Sequence, residues 1–303
     1  MRARLRAFWR IITAPFRIIY LLLHFLFGWI PGYFRDLGAL FAKDEDVDDA
    51  PMVEALGKAI ENPVSVLEHL NALRKHLFRA VVVLFLAIAF TFTYAKPLLD
   101  LLAVPIGGIE AMKSVEVTES IGVFMRVSLL TGFALALPYI ALEFLLFAAP
   151  GLTRRERFFG VASIPLIAVL FVAGMLFTYF ILLPPAVTFL SNFIFELEAR
   201  PESYYSFALS LMFWLGASFE FPLIVYVLVS MGIIRAEVLL QQARIAIVVV
   251  ALFAAAITPT TDPVNMLLVW VPLIGVYYIG VGLAFIAQRG RDRRTNRAEM
   301  SSP

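Results

Sequence analysis

LSLMFWLGASFEFPLIVYVLVSMG, residues 209–232, decides how the chain is read. The run is long enough to cross a bilayer. It holds one acid, Glu220, followed at once by Phe221 and Pro222. A carboxylate at bilayer depth costs roughly 3 kcal/mol on insertion scales, so such residues face protein or water and carry function. A proline inside a spanning helix frees backbone carbonyls and bends the axis.

The surrounding composition agrees. Of 303 residues, 61% are hydrophobic and 16% charged, well outside soluble-domain usage, so the chain reads as an all-α integral membrane protein. With no cysteine, disulfides, thiolate catalysis and Cys-based metal sites are excluded. His24, His69 and His76 form no metal-ligand pattern, and no phosphate loop, nucleophile elbow or nucleic-acid module is present. The chain is therefore read as no enzyme, with no cofactor and no nucleic-acid partner.

By the length rule, spans are expected at Leu77–Tyr94, Ile121–Ala149, Gly160–Leu183, Phe207–Gly232, Ile245–Ile257 and Val264–Ala287. The fifth is short, about 20 Å against a hydrocarbon core of about 30 Å. Charge sets the orientation. Arg74, Lys75 and Arg79 precede the first span, and Arg154, Arg155 and Arg157 separate the second and third. Arg235 and Arg244 lie between the fourth and fifth, and Arg289, Arg291, Arg293, Arg294 and Arg297 follow the sixth. The opposite loops hold Glu110, Glu116, Glu119, Glu196, Glu198, Glu202 and Asp262 against Lys96, Lys113 and Arg200. The positive-inside rule then places both termini in the cytoplasm, in a multi-pass protein of the cytoplasmic (inner) membrane. Pro138, Pro165, Pro184, Pro185, Pro222 and Pro272 kink the helices. Six kinked spans favour a concave, glove-like wall.

Four segments follow: a basic and apolar extension (1–43), an acidic linker (44–63), a six-span domain (64–288) and a basic tail (289–303). In the extension, Arg2, Arg4, Arg6, Arg10 and Arg17 interleave with Phe8, Trp9, Ile11, Ile12 and Phe16. An extra transmembrane helix would place those arginines outside, and a signal peptide lacks its cleavage pattern. An interfacial amphipathic helix on anionic lipid fits best.

Several local patterns resemble the TatC family, the multispanning receptor subunit of the twin-arginine (Sec-independent) protein translocase. His69-Leu70-Asn71-Ala72-Leu73-Arg74 resembles its HLxELR motif, and Leu102-Ala103-Val104-Pro105 its periplasmic proline segment. Thr118-Glu119 with Arg126 resembles the opening of its second span. Phe147-Ala148-Ala149-Pro150-Gly151-Leu152 with Arg155-Glu156-Arg157 resembles FxxPGLxxxER. Tyr204-Tyr205-Ser206-Phe207 and Gly216-Ala217-Ser218-Phe219-Glu220-Phe221-Pro222 resemble YxSF and FGxxFExP. Thr258-Pro259-Thr260-Thr261-Asp262-Pro263 resembles the TP…DP turn. The resemblance covers about residues 64–287 and implies a receptor for twin-arginine signal peptides of folded proteins. It implies single-span TatA/TatB-type partners, a homo-oligomer within a hetero-complex, and export driven by the proton gradient.

On that resemblance the signal-peptide site is expected at Glu156, Arg74, Glu68 and His69. A carboxylate reads guanidinium through paired charge-assisted hydrogen bonds. The plain alternative for Glu156 is an intraloop ion pair. The family's motif glutamate is Ala72 here. Glu68, one turn earlier on the same face, is either its displaced substitute or a solvated acid near a helix start. A specialised paralogue with altered signal recognition is a third reading. Arg74 doubles as a topology determinant, and His69 is expected to cap the helix or sit at the interface.

Glu220 and Pro222 form the expected intramembrane partner-binding feature. The acid has three readings: a proton relay, a holder of water, and a hydrogen-bond hub, the last two combined being favoured. Pro105, Asp262 and Tyr204 are expected in a periplasmic cap, Asp262 being most simply a turn residue. Arg126 is expected to snorkel or pair with Glu119. Glu143, where the family usually has glutamine, is expected as a groove acid or a snorkelling charge. Tyr277 and Tyr278 stand where the family commonly has tyrosine followed by glutamate. The main alternative function is an ion-coupled secondary transporter of small solutes using Glu220, against which no internal repeat is found.

Overall fold

The structure is a computed structural model that describes residues 38, 63–116, 118–191, 200–258 and 262–301. The expected interfacial helix of the extension lies outside the described residues, as does nearly all of the acidic linker. The chain forms two compact units, one of residues 1–82 and 143–157, the other of 83–142 and 158–303.

The fold is all helical. In chain order the α-helices are α1 (Pro63–Phe92), α2 (Ala95–Leu102), α3 (Glu119–Ala148), α4 (Arg154–Phe177), α5 (Leu183–Ser191), α6 (Pro201–Phe219), α7 (Phe221–Ser230), α8 (Ala236–Gln241), α9 (Ala243–Ile257) and α10 (Pro263–Ser301). A π-turn, Thr178–Leu182, joins α4 to α5 without breaking the rod. Among the described residues five helical stretches are long and apolar enough to cross a membrane: His69–Phe92, Glu119–Gly151, Glu156–Leu190, Pro201–Ser230 and Pro263–Asp292. The remaining expected span is α9, which has 15 residues and so rises about 22 Å.

Large apolar side chains stand exposed along these helices, Phe85, Phe144, Ile121 and Leu252 among them. In water such a surface would aggregate; in lipid it is the solvent-facing side. Lipid tails are as apolar as leucine, so helix association rests on close packing instead. In the larger unit Phe133, Phe171 and Phe213 form an edge-to-face trio with centroids 5.5–6.3 Å apart, tying α3, α4 and α6. Where α4 crosses α6, a Cβ on Gly174 would lie 2.8 Å from the Gly216 Cα. Only the missing side chains permit that approach.

Pro222 does break its span, as the sequence predicts. α6 ends at Phe219, α7 starts at Phe221, and Glu220 is the junction. Pro138, Pro165 and Pro272 sit inside α3, α4 and α10.

Candidate functional site

In the smaller unit the N-terminal part of α1 faces the turn that opens α4. Thr153 precedes α4 and Glu156 is its third residue, the spacing of a capping box. The Thr153 N–H donates to Glu156 Oε2 at 2.8 Å, and the Glu156 N–H donates to Thr153 Oγ1 at 3.4 Å. Arg157 Nε donates to the carbonyls of Ala149 and Leu152 at 2.9 and 3.0 Å, holding the preceding turn. Glu156 is therefore half-buried in a fixed pose, with its charge at a helix N-terminus. The intraloop ion pair of the plain alternative does not form among the described residues; the acid is used by the backbone instead. The spacing Thr153-x-x-Glu156 was the available signal.

Arg74 is exposed on α1, and no hydrogen bond or ion pair joins it to Glu156. His69 is seven residues into α1, too far in to cap it; its ring lies 4.4 Å from that of Phe147. The backbone of Glu68 belongs to α1, and its side chain lies outside the described residues.

Glu143 corrects the expectation. It is neither a snorkelling charge nor a groove acid: it is 1% exposed. His76 Nδ1 lies 2.6 Å from its Oε2, and Arg79, 0% exposed, brings Nη1 within 3.9 Å of the same oxygen. A buried carboxylate this deep needs cationic or hydrogen-bonding partners, and α1 supplies them at positions 76 and 79. Arg79, read from sequence only as a topology charge, is thus a core residue.

In the larger unit, Glu220 is half-buried at the α6–α7 junction, and its Oε1 is buried with no hydrogen-bond partner. Ser218 and Phe221, on either side of the junction, line a cavity of about 350 Å³ with Trp214, Val249, Phe253 and Tyr277, and Glu220 is not part of that lining. Pro222 is buried at the start of α7, and Phe221 stacks on Tyr277 with centroids 5.7 Å apart.

The expected cap residues divide. Tyr204 donates its hydroxyl to the Leu102 carbonyl at 2.6 Å, Tyr205 to Leu99 at 2.8 Å and Tyr179 to Leu101 at 2.7 Å. Three phenols thus donate to carbonyls in the last turn of α2; the Leu99 carbonyl also accepts from the Ala103 N–H at 3.0 Å. Pro105 sits in the short 3₁₀ turn that follows, Val104–Ile106. Asp262 caps α10: its Oδ1 accepts from the Asn265 N–H at 2.7 Å, with Pro263 as the first helical residue.

For Arg126 only the expected Glu119 pairing fails; the side chain is 43% exposed near the end of its span. It pairs with Glu202 at 3.0 Å and with the Ser206 hydroxyl, both on α6, and not with Glu119. Glu119 is taken by Arg200, whose Nε donates to its Oε1 at 3.0 Å. That hydrogen bond pushes the Arg200 guanidinium above its ordinary value. Glu119 is already occupied: Arg200, the residue before α6, takes its Oε1, and the Ser114 hydroxyl and the Val115 N–H take its Oε2.

The family model described as "Sec-independent protein translocase protein (TatC)" matches residues 68–272. The chain belongs to the TatC family. It is similar to the TatC protein of Carboxydothermus hydrogenoformans, 33% identical over 228 residues, which covers 74% of this chain and 94% of that one. It is 32% identical over 222 residues to the TatC protein of Synechocystis, covering 72% and 87%. A crystal structure of the twin-arginine translocase receptor TatC superposes with a TM-score of 0.64 at 30% identity, covering 72% of this chain and 99% of that one. The TatC-like part is thus nearly the whole of those relatives, and the chain is a multi-pass membrane component of a Sec-independent protein translocase. Residues 1–67 lie before the stretch that the family model matches.

Proposed function

We propose that the chain is the core receptor of the twin-arginine translocase. It binds the twin-arginine signal peptides of folded proteins at the cytoplasmic face and recruits single-span TatA/TatB-type subunits for export driven by the proton gradient. It sits in the inner membrane with both termini inside, as one of several copies in a hetero-complex.

One observation carries this reading. The capping box at Thr153 and Glu156 fixes a half-buried carboxylate at a helix start, within an arginine-rich turn that matches the family's motif. Oε2 serves the backbone, and a carboxylate has further acceptor sites to offer a guanidinium. Glu68, Arg74 and His69 on α1 complete the proposed reader, with Glu68 standing in for the acid missing at Ala72. Glu220 is assigned to the recruiting role as the acid at the break between α6 and α7 within a spanning stretch, where a carboxylate is costly and carries function. Pro105, Tyr204 and Asp262 shape the outer ends of the helices.

The test is cross-linking of a twin-arginine precursor and its twin-lysine version to the full chain. Lysine keeps the charge and loses the forked geometry. Strong capture of the first only, lost in the Glu156→Ala and Glu68→Ala double variant, supports the reading. Equal capture of both precursors overturns it. A second reading, a paralogue that reads a different signal, is favoured by Ala72 alone. Capture of neither precursor, with export of some other class of protein, would select it.

A further inference from the structure

In the larger unit a cavity of about 450 Å³ opens between α1, α3 and α6, and the function above does not use it. Its walls are apolar: Leu84, Leu130, Phe133, Leu209, Phe213 and Trp214 are among them. Its polar groups are Arg126, Ser206 and Ser210. Ser210 is one helical turn beyond Ser206 and exposed. Glu202, one turn before Ser206, completes a row at four-residue spacing on one face of α6.

The two charges are unusual for a spanning helix. Arg126 and Glu202 form an ion pair at 3.0 Å, yet their side chains are 43% and 47% exposed. A guanidinium carries five N–H donors, and Arg126 spends its contacts with Ser206 and Glu202 on only part of that set. Glu202 likewise has acceptor sites to spare. A cation and an anion thus stand side by side, both open, at the rim of an apolar cavity.

Depth selects the occupant. α3 has 30 residues and rises about 45 Å, the thickness of a bilayer with its headgroup layers. Arg126 is seven residues from the helix start, about 10 Å in, close to the boundary between headgroups and hydrocarbon. That is the level of a phospholipid's phosphate, with its acyl chain running inward along the apolar walls.

We propose that this cavity is a binding site for a phospholipid with a primary-amine headgroup. The phosphate meets Arg126 and the hydroxyls of Ser206 and Ser210. The ammonium meets Glu202. One acyl chain lies against Phe133, Phe213 and Trp214. A choline headgroup lacks N–H donors for Glu202, and an anionic glycerol headgroup offers no cation. The site therefore selects by the arrangement of both charges and not by net charge.

The experiment uses the full chain, delipidated in detergent, with phosphatidylethanolamine, phosphatidylcholine or phosphatidylglycerol added to the micelles. Retained lipid is counted by native mass spectrometry, and thermal unfolding is followed in parallel. Phosphatidylethanolamine should bind about tenfold more tightly than the other two, the worth of one charge-assisted hydrogen bond. E202Q should bring its binding down to the phosphatidylcholine level. R126Q should abolish binding of all three at this site. S210F, which fills the cavity without touching the ion pair, should do the same if R126Q fails to fold. Equal binding of the three lipids by the unmodified chain, or an unchanged preference in E202Q, would overturn the proposal.

Discussion

His76 Nδ1 lies 2.6 Å from Glu143 Oε2, and the contact joins α1 to α3 across 67 residues of sequence. Arg79, one turn further along α1, reaches the same oxygen at 3.9 Å. All three side chains are buried or nearly so. Removing one partner of a buried ion pair costs about 3–5 kcal/mol. Glu143→Ala should therefore destabilise the protein by that amount in denaturant or thermal unfolding. Glu143→Gln keeps a hydrogen-bond acceptor for His76 and should cost less. Equal stability of Glu143→Ala and the unmodified chain would show that the group contributes nothing.

Glu156 has two roles that mutation can separate. As the acid of a capping box it stabilises the start of α4; as a charge it is the proposed reader of arginine. Glu156→Gln should keep most of the cap and lose twin-arginine peptide capture. Thr153→Ala should cost about 1 kcal/mol of stability and leave the charge in place. Cross-linking yield compared with melting temperature distinguishes them. If capture follows stability across both variants, Glu156 acts only as a cap.

Much of the architecture was legible because membrane spanning is written in length and hydropathy. The break at Glu220 and Pro222 followed from a proline's missing N–H, and the short α9 from its residue count. The site was legible where its signal is local. Tyr204, Pro105 and Asp262 fall in motifs at helix ends, and the Thr153-x-x-Glu156 box is written in its spacing. What stayed hidden was pairing between distant segments. Nothing in the sequence near Glu143 points to His76, and nothing near Arg126 favours Glu202 over Glu119. Those choices are made by helix packing, which composition and periodicity do not encode.

The α4–α6 crossing depends on having no side chain at one position. A Cβ on Gly174 would lie 2.8 Å from the Gly216 Cα and 2.9 Å from the Leu215 carbonyl oxygen, both backbone atoms that cannot rotate away. Gly174→Ala should cost about 1–3 kcal/mol through forced separation of the helices. Gly275→Ala is the control, since a Cβ there meets nothing within 4 Å. It should be neutral or slightly stabilising, because alanine is the better helix former. Thermal unfolding of the two variants side by side checks the contrast.

Tyr204 tests whether the end of α2 is held by hydrogen bonds or by packing alone. Its hydroxyl meets the Leu102 carbonyl at 2.6 Å, beside the Tyr205 bond to Leu99 and the Tyr179 bond to Leu101. Tyr204→Phe keeps the ring, which touches Tyr205 edge-on with centroids 5.3 Å apart, and removes only the donor. The stranded carbonyl at the end of α2 should cost about 1–3 kcal/mol. The three bonds act on one short helix of 8 residues, which has few hydrogen bonds of its own to resist fraying. Tyr204→Phe combined with Tyr205→Phe should therefore cost more than the sum of the single changes, with faster amide exchange across Ala95–Leu102. Strict additivity, with exchange unchanged, would mean that packing holds α2 without the phenols.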